Sequence, residues 1–392
     1  MAEVRKALLW AVAATVSAGC ATEPPPPLAP APLEIPAIPV APPEVHGEVH
    51  VAYLSPPPGE PMVDELLASP VLRDPTFDRA VEEWLDYWQD AAASWFPDFV
   101  RRMGAFEQTV DSALAARRLP PSLRYLPLIE SGYSPSARSH AAAVGLWQLM
   151  PGTARELGIE VGPFVDERRN PYRATDAALD FLEELHGRFG SWFLALAAYN
   201  GGPNRTRRIL RRHAPLAEPS DSVFWSLRRH WPRETRAFVP KLIAAILVAQ
   251  EPVRYGFPPL PMDPPLRFDE VTVPDATTFD VLAASAQVEE NEIRMLNPEL
   301  YRGFTPPGRE VVVRVPSGRG ALFRQRYALV SPEERMTSVE HSVSPGETLS
   351  HIALRYGVSL DDLREANPDV RPRYIRPGDI LVVPLVPVGD GS

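Results

Sequence analysis

The chain has 392 residues, 45% of them hydrophobic, and a formal net charge of −10. That length exceeds one ordinary domain, the composition supports packed cores, and the charge argues against a nucleic-acid partner, which needs a basic face for phosphates. Lysine occurs only at Lys6 and Lys241 among otherwise arginine cations, so neither an SxxK acyl-enzyme motif nor a GK[ST] phosphate loop can be written. The single cysteine, Cys20, cannot form a disulfide within the chain and leaves nothing for a Cys/His metal cage. No metal and no cofactor are expected.

In chain order, residues 1–19 read as a secretory signal: Arg5 and Lys6, an apolar run Ala7–Val16, then Ser17-Ala18-Gly19. The run is too short for a permanent membrane span. Followed by Cys20, it resembles a bacterial lipoprotein signal, with Ser17 where leucine is usual. That resemblance implies lipidation of Cys20, and Ala21 after it implies sorting to the outer membrane with the chain facing the periplasm. The competing reading is a cleaved signal with an incidental cysteine. Residues 20–65 are rich in Pro, Ala, Glu and Val and read as an extended spacer, since Pro24–Pro27 and Pro56–Pro58 favour polyproline II.

Residues 66–260, with a core at 119–215, read as a mainly α-helical domain. Phe77, Ala80, Val81, Trp84, Leu85 and Trp88 lie at helical spacing, and further helices are predicted at Phe99–Arg117, Pro121–Glu130, Ala174–Phe189, Trp192–Ala198 and Arg236–Gln250. Beyond it, two units repeat the order strand, helix, helix, strand, each with Asn-Pro after its second helix (Asn297-Pro298 and Asn367-Pro368). They span 266–317 and 340–386.

Leu123, Tyr125, Leu126, Leu128 and Ile129 make the segment before Glu130 apolar on nearly every side, so that helix is expected to be buried. A carboxylate at its C-terminal end has a raised pKa, because desolvation and the negative end of the dipole both disfavour its charge. That is what a general acid for glycosidic cleavage requires. By itself such a residue is ordinarily solvated or capped.

The surroundings are more specific. Glu130-Ser131-Gly132-Tyr133-Ser134-Pro135 with Ala137 and Ser139, Gly145-Leu146-Trp147-Gln148-Leu149-Met150-Pro151, Ala198-Tyr199-Asn200-Gly201-Gly202, and Glu234-Thr235-Arg236 with Val239 are four ordered segments. They resemble the motifs of the lytic transglycosylases, most closely the membrane-bound lytic murein transglycosylase D group. The resemblance implies a lysozyme-like catalytic domain acting on the glycan strands of peptidoglycan, with Glu130 as the single acid/base. It implies that Ser139 orients the reacting sugar near its N-acetyl group, that Gln148 and Met150 line the groove, that Tyr199 and Asn200 form a wall facing Glu130, and that Glu234 is the fourth-motif carboxylate. Plain structural roles stand beside these: Met150 in a core, Tyr199 and Asn200 as helix caps, Glu234 paired with Arg236. Phe238 stands where the family usually has tyrosine.

No second acidic residue accompanies Glu130 within its own motifs. The resemblance therefore implies a substrate-assisted route ending in a 1,6-anhydro ring, and not the two-carboxylate hydrolysis of most glycosidases. At the C-terminus, Ser344–Leu349, Tyr356-Gly357-Val358, Asn367-Pro368 and Pro377–Leu381 resemble a LysM module, which implies glycan binding at Gly346, Thr348 and the loop after Asn367. The unit at 266–317 resembles a degenerate copy. A monomer is expected. A goose-type muramidase on the same scaffold and a non-catalytic wall-binding scaffold remain open at this stage.

Overall fold

The computed structural model describes residues 64–384, except 163, 336–337, 369 and 371–374. Cys20, the signal and most of the spacer lie outside the described residues. Helix α1 (Pro75–Gln89) begins where Asp74 accepts hydrogen bonds from the backbone N–H groups of Thr76 and Phe77, which satisfies donors the first turn leaves unpaired. It buries Phe77, Val81 and Trp88 along one stripe. Helix α2 (Phe96–Arg117) follows.

The segment predicted as one helix at Pro121–Glu130 is divided. Pro121–Tyr125 forms a 3-10 turn, and α3 (Leu126–Ser131) continues from it. Pro127 has no N–H to bond back to Leu123, so the two parts cannot share one α-helical ladder. Gly132, at φ +58°, ends α3, and a Cβ there would sit 2.4 Å from the Phe99 ring; no other residue fits this turn.

Helices α4 (Pro151–Glu156), α5 (Pro171–Phe189), α6 (Trp192–Gly201), α7 (Pro203–His213), α8 (Asp221–Ser226) and α9 (Arg233–Gln250) complete the helical domain. Every residue of α6 from Trp192 to Ala198 is buried. An all-round apolar helix can only sit in the middle of a core, and α5, α7 and α9 pack around it.

The two C-terminal modules share one architecture. In the first, β1 (Phe268–Val273) pairs antiparallel with β2 (Val311–Pro316), Val271 facing Val313, with α10 (Phe279–Ala286) and α11 (Glu290–Leu296) between. The Asn-Pro repeat has a physical basis here. Asn297 donates from Nδ2 to the carbonyls of Ile293 and Arg314, and its Oδ1 accepts from the Arg314 N–H. One side chain thus joins the end of a helix to a strand. After α12 (Gly320–Tyr327) and α13 (Pro332–Arg335), the second module has β3 (Ser338–Ser342), α14 (Leu349–Tyr356), α15 (Leu360–Glu365) and β4 (Ile380–Pro384). There Asn367 binds Leu363 and Val382 in the same way. Helix α12 lies beyond residue 317, where the repeat pattern ends, yet Phe323 and Tyr327 belong to the first module's core. That module is therefore larger than a bare βααβ unit.

The first module is fused to the helical domain and not merely strung after it. Buried Glu299 accepts from Asn170 Nδ2 at 2.8 Å and pairs with buried Arg314 at 2.7 Å, while Arg309 pairs with Glu160. Phe164, from the helical domain, packs against the cores of both modules. Glu299→Ala leaves the buried Arg314 guanidinium with only the half-exposed Glu270 carboxylate at 4.0 Å, a loss of about 3 kcal/mol. Denaturant unfolding is expected to show that loss, and limited proteolysis to open the chain between the helical domain and β1.

Candidate active site

Glu130 sits on the last turn of α3, between the buried apolar segment Leu126–Ile129 and Gly132. It keeps a partial opening to solvent. Among the described residues nothing donates a hydrogen bond to its carboxylate. Burial therefore pushes its pKa from 4.5 up to about 7, with Glu234 adding to the rise and Lys241 opposing it. At neutral pH a large fraction of Glu130 carries a proton.

Lys241 was not singled out from the sequence. It lies on α9, donates from Nζ to the Ile129 carbonyl at 3.0 Å, and stands 5.7 Å from the ring centroids of both Trp84 and Trp88. The carbonyl it binds is one that the end of α3 leaves without an intrahelical partner. Burial lowers its pKa while the Glu130 and Glu234 carboxylates hold it up. A signal existed: it is the only lysine of the helical domain, set in the apolar run Ala237–Ala245 of an arginine-rich chain.

The two third-motif residues predicted to form a wall, Tyr199 and Asn200, lie at the end of α6. Tyr199 donates its hydroxyl to the Trp147 carbonyl at 2.6 Å, and the Glu130 charge helps burial raise the phenol's pKa. Asn200 donates to Glu234 Oε1 at 3.1 Å and accepts from Thr235 Oγ1 at 2.8 Å. Glu234 is thus held by Asn200 and is exposed, and no ion pair with Arg236 forms among the described residues. Phe238 faces the core of α9, buried.

The loop between Gly132 and Met150 is pinned from several sides. Ser131 Oγ donates to the Leu146 carbonyl, Trp147 Nε1 donates to Thr175, and Arg168 donates to the carbonyls of Ala142 and Leu149 while paired with Asp166. Gly145, at φ +84°, passes so close to the Arg168 carbonyl that a Cβ would lie 1.7 Å from it. Ser139 Oγ accepts from the Ala143 N–H at 3.0 Å, which leaves its proton to donate. Gln148 has φ +50° and donates to the Gly145 carbonyl at 2.9 Å, so its amide is engaged in bracing its own loop. Met150 is 44% exposed, which removes the reading of it as core.

Glu130, Tyr199, Asn200, Glu234 and Lys241 are thus linked by hydrogen bonds and charge, with Ser139, Gln148 and Met150 on the adjoining loop. Gly346 and Thr348 belong to the second module. Gly346 is an exposed turn residue at φ +82°, and Thr348 caps α14 by accepting from the His351 N–H. The loop after Asn367 falls largely outside the described residues.

Known families align with these parts. The transglycosylase SLT domain matches residues 109–218, the LysM-like domain of the lytic transglycosylase MltD matches 267–332, and the LysM domain matches 341–384. Membrane-bound lytic murein transglycosylase D of Escherichia coli (strain K12) is 28% identical over 320 residues, which cover 79% of this chain and 69% of that protein. A putative tributyltin chloride resistance protein of Alteromonas sp. (strain M-1) is 43% identical over 104 residues, 26% of this chain and 50% of its own length. The 70-kDa soluble lytic transglycosylase SLT70 of Escherichia coli overlaps 46% of this chain and 29% of its own, at 23% identity and a TM-score of 0.34. Among the described residues, no helix is long and apolar enough to cross a membrane.

Two outcomes follow from the electrostatics. Glu130 has a raised folded-state pKa, so its contribution to stability is full below pH 4.5 and is lost as pH rises through about 7. Glu130→Gln is therefore expected to melt higher than wild type by a margin that grows across that window, as thermal scans at several pH values would show. Lys241→Met removes a cation that favours the carboxylate. The alkaline limb of its rate–pH profile is expected to move to higher pH, and an unmoved limb would remove Lys241 from the site's electrostatics.

Proposed function

We propose that this chain, which belongs to the SLT-type lytic transglycosylases with C-terminal LysM modules, cuts the β-1,4 bond between N-acetylmuramic acid and N-acetylglucosamine in peptidoglycan and leaves a 1,6-anhydro end. The observation that carries the reading is the placement of Glu130: a carboxyl group partly open to solvent at the end of a buried helix, where burial raises its pKa. Glu130 donates its proton to the glycosidic oxygen as the bond to C1 breaks. The N-acetyl carbonyl of the muramic residue supports the developing positive charge at C1, with Ser139 orienting that sugar. Lys241 favours the carboxylate so formed. Glu130 then takes the proton of the muramic 6-hydroxyl as that oxygen closes on C1, so the acid is regenerated and no water is consumed. Tyr199, Asn200, Gln148 and Met150 shape the groove, and Glu234 raises the proton affinity of Glu130.

Gly346 and Thr348 bear the wall-binding role of the LysM module, and the lipid at Cys20 holds the enzyme as a monomer on the periplasmic face of the outer membrane. Support for the anchor is the signal-like segment before Cys20, together with the membrane-bound name of the Escherichia coli relative.

One observation favours a second reading. Glu234 is an exposed carboxylate held by Asn200 close enough to influence Glu130, and a carboxylate in that position suits activation of a water, as in an inverting hydrolase. Mass spectrometry of digested cell walls separates the two. Anhydro-muramic products are expected, and products one water heavier with free reducing ends would make the protein a muramidase. In zymograms Glu130→Gln is expected to lose clearing by at least a hundredfold. Equal clearing by variant and wild type would end the assignment of Glu130.

A further inference from the structure

Helix α7 departs from the chain's overall charge. Its exposed face carries Asn204, Arg207, Arg208, Arg211 and Arg212 at positions i, i+3, i+4, i+7 and i+8, while Thr206, Ile209 and Leu210 turn toward the protein. The five exposed side chains border one open hollow on the helix surface. Arg207 donates to Asn204, but among the described residues none of the four arginines has a carboxylate within ion-pair distance. Pairs such as Arg207 with Arg211 and Arg208 with Arg212 repel along a helix. Only the final turn draws compensation from the helix dipole. A chain with ten excess negative charges thus concentrates unpaired guanidinium groups on one face.

The location points to the occupant. Helix α7 starts at Pro203, directly after the segment Tyr199–Gly202 that contributes Tyr199 and Asn200 to the site. Asn204, the first residue of that face, follows Asn200 by four positions in the chain, so the arginine face begins close to that wall. A glycan strand lying in the site carries peptide stems, and those stems bear free carboxylates. Guanidinium groups bind carboxylates with two parallel hydrogen bonds.

We propose that the Arg207, Arg208, Arg211 and Arg212 face of α7 binds the carboxylates of peptide stems on the strand being cut. This deepens the reading of the substrate given above and rests on it. The face makes the enzyme selective for stem-bearing strands over bare glycan, and it makes that selectivity sensitive to salt.

The test compares full-length Glu130→Gln with the same protein carrying R207Q, R208Q, R211Q and R212Q, so that binding is read without cleavage. Three probes are used: soluble glycan strands with their stems, the same strands stripped by an amidase, and vesicles containing phosphatidylglycerol. The quadruple variant is expected to bind stemmed strands at least tenfold more weakly, with a shallower salt dependence, and to bind stripped strands unchanged. Its melting temperature is expected to be no lower, since it removes repulsion; a fall would be followed by R207Q/R211Q alone, which is expected to show a smaller loss of the same selectivity. Unchanged binding to stemmed strands, equal loss on both kinds of strand, or loss confined to vesicles would overturn the proposal. Because the assay involves no turnover, a failure of Glu130 as catalyst appears in the zymogram and not here.

Discussion

The site depends on a balance struck around one buried carboxyl group. The end of α3 removes Glu130 from water and offers it no hydrogen bond from the described residues, which alone would raise its proton affinity further. The Lys241 ammonium, bound to the neighbouring Ile129 carbonyl, opposes that effect. An ammonium in such a place needs support of its own, and the faces of Trp84 and Trp88 supply it through the ring quadrupoles. Helix α1 therefore bears on the electrostatics of Glu130 through the lysine that its two tryptophans support.

Much of the site was legible because its residues are adjacent in sequence. Glu130 through Met150 form one pinned loop, and the Tyr199-Asn200 pair lies at the end of a helix whose apolar character is plain. The residues that escaped notice act across long separations. Lys241 reaches Ile129 over 112 positions, and Asn170 reaches Glu299 over 129; no local pattern encodes such partners. The role given to Gln148 shows a different limit. Its residue type was legible, but the bond from its amide to the Gly145 carbonyl, which braces the loop itself, depends on a backbone conformation that no pattern announces.

At the level of elements, the strongly periodic helices were readable and the short or unusual ones were not. Pro127 divides a stretch whose apolar pattern runs on without a break. Helix α7 has an apolar side of only a few residues, so its arginines mask the period. Helix α12 falls outside the repeated pattern because it follows β2, where the strand–helix–helix–strand order has already closed. The Asn-Pro repeat was visible as a pattern, but its cause was visible only in space: a side-chain amide serving as a short stretch of sheet pairing.

The seam at Glu299 and Phe164 bears on how grip and cut are related. A module on a flexible cord searches a volume, and its benefit to the attached enzyme falls as the cord lengthens. Here the first module is joined to the helical domain by the buried Asn170–Glu299 hydrogen bond and the Arg309–Glu160 pair, and a phenyl ring wedges against both modules. The wall-binding surface then has a set offset and bearing from the cleavage point, like the fence on a saw. Strands that meet both surfaces in that geometry gain the full advantage of two attachments, and strands that cannot do so gain none, so the stiffness of the seam becomes a filter on the architecture of the wall.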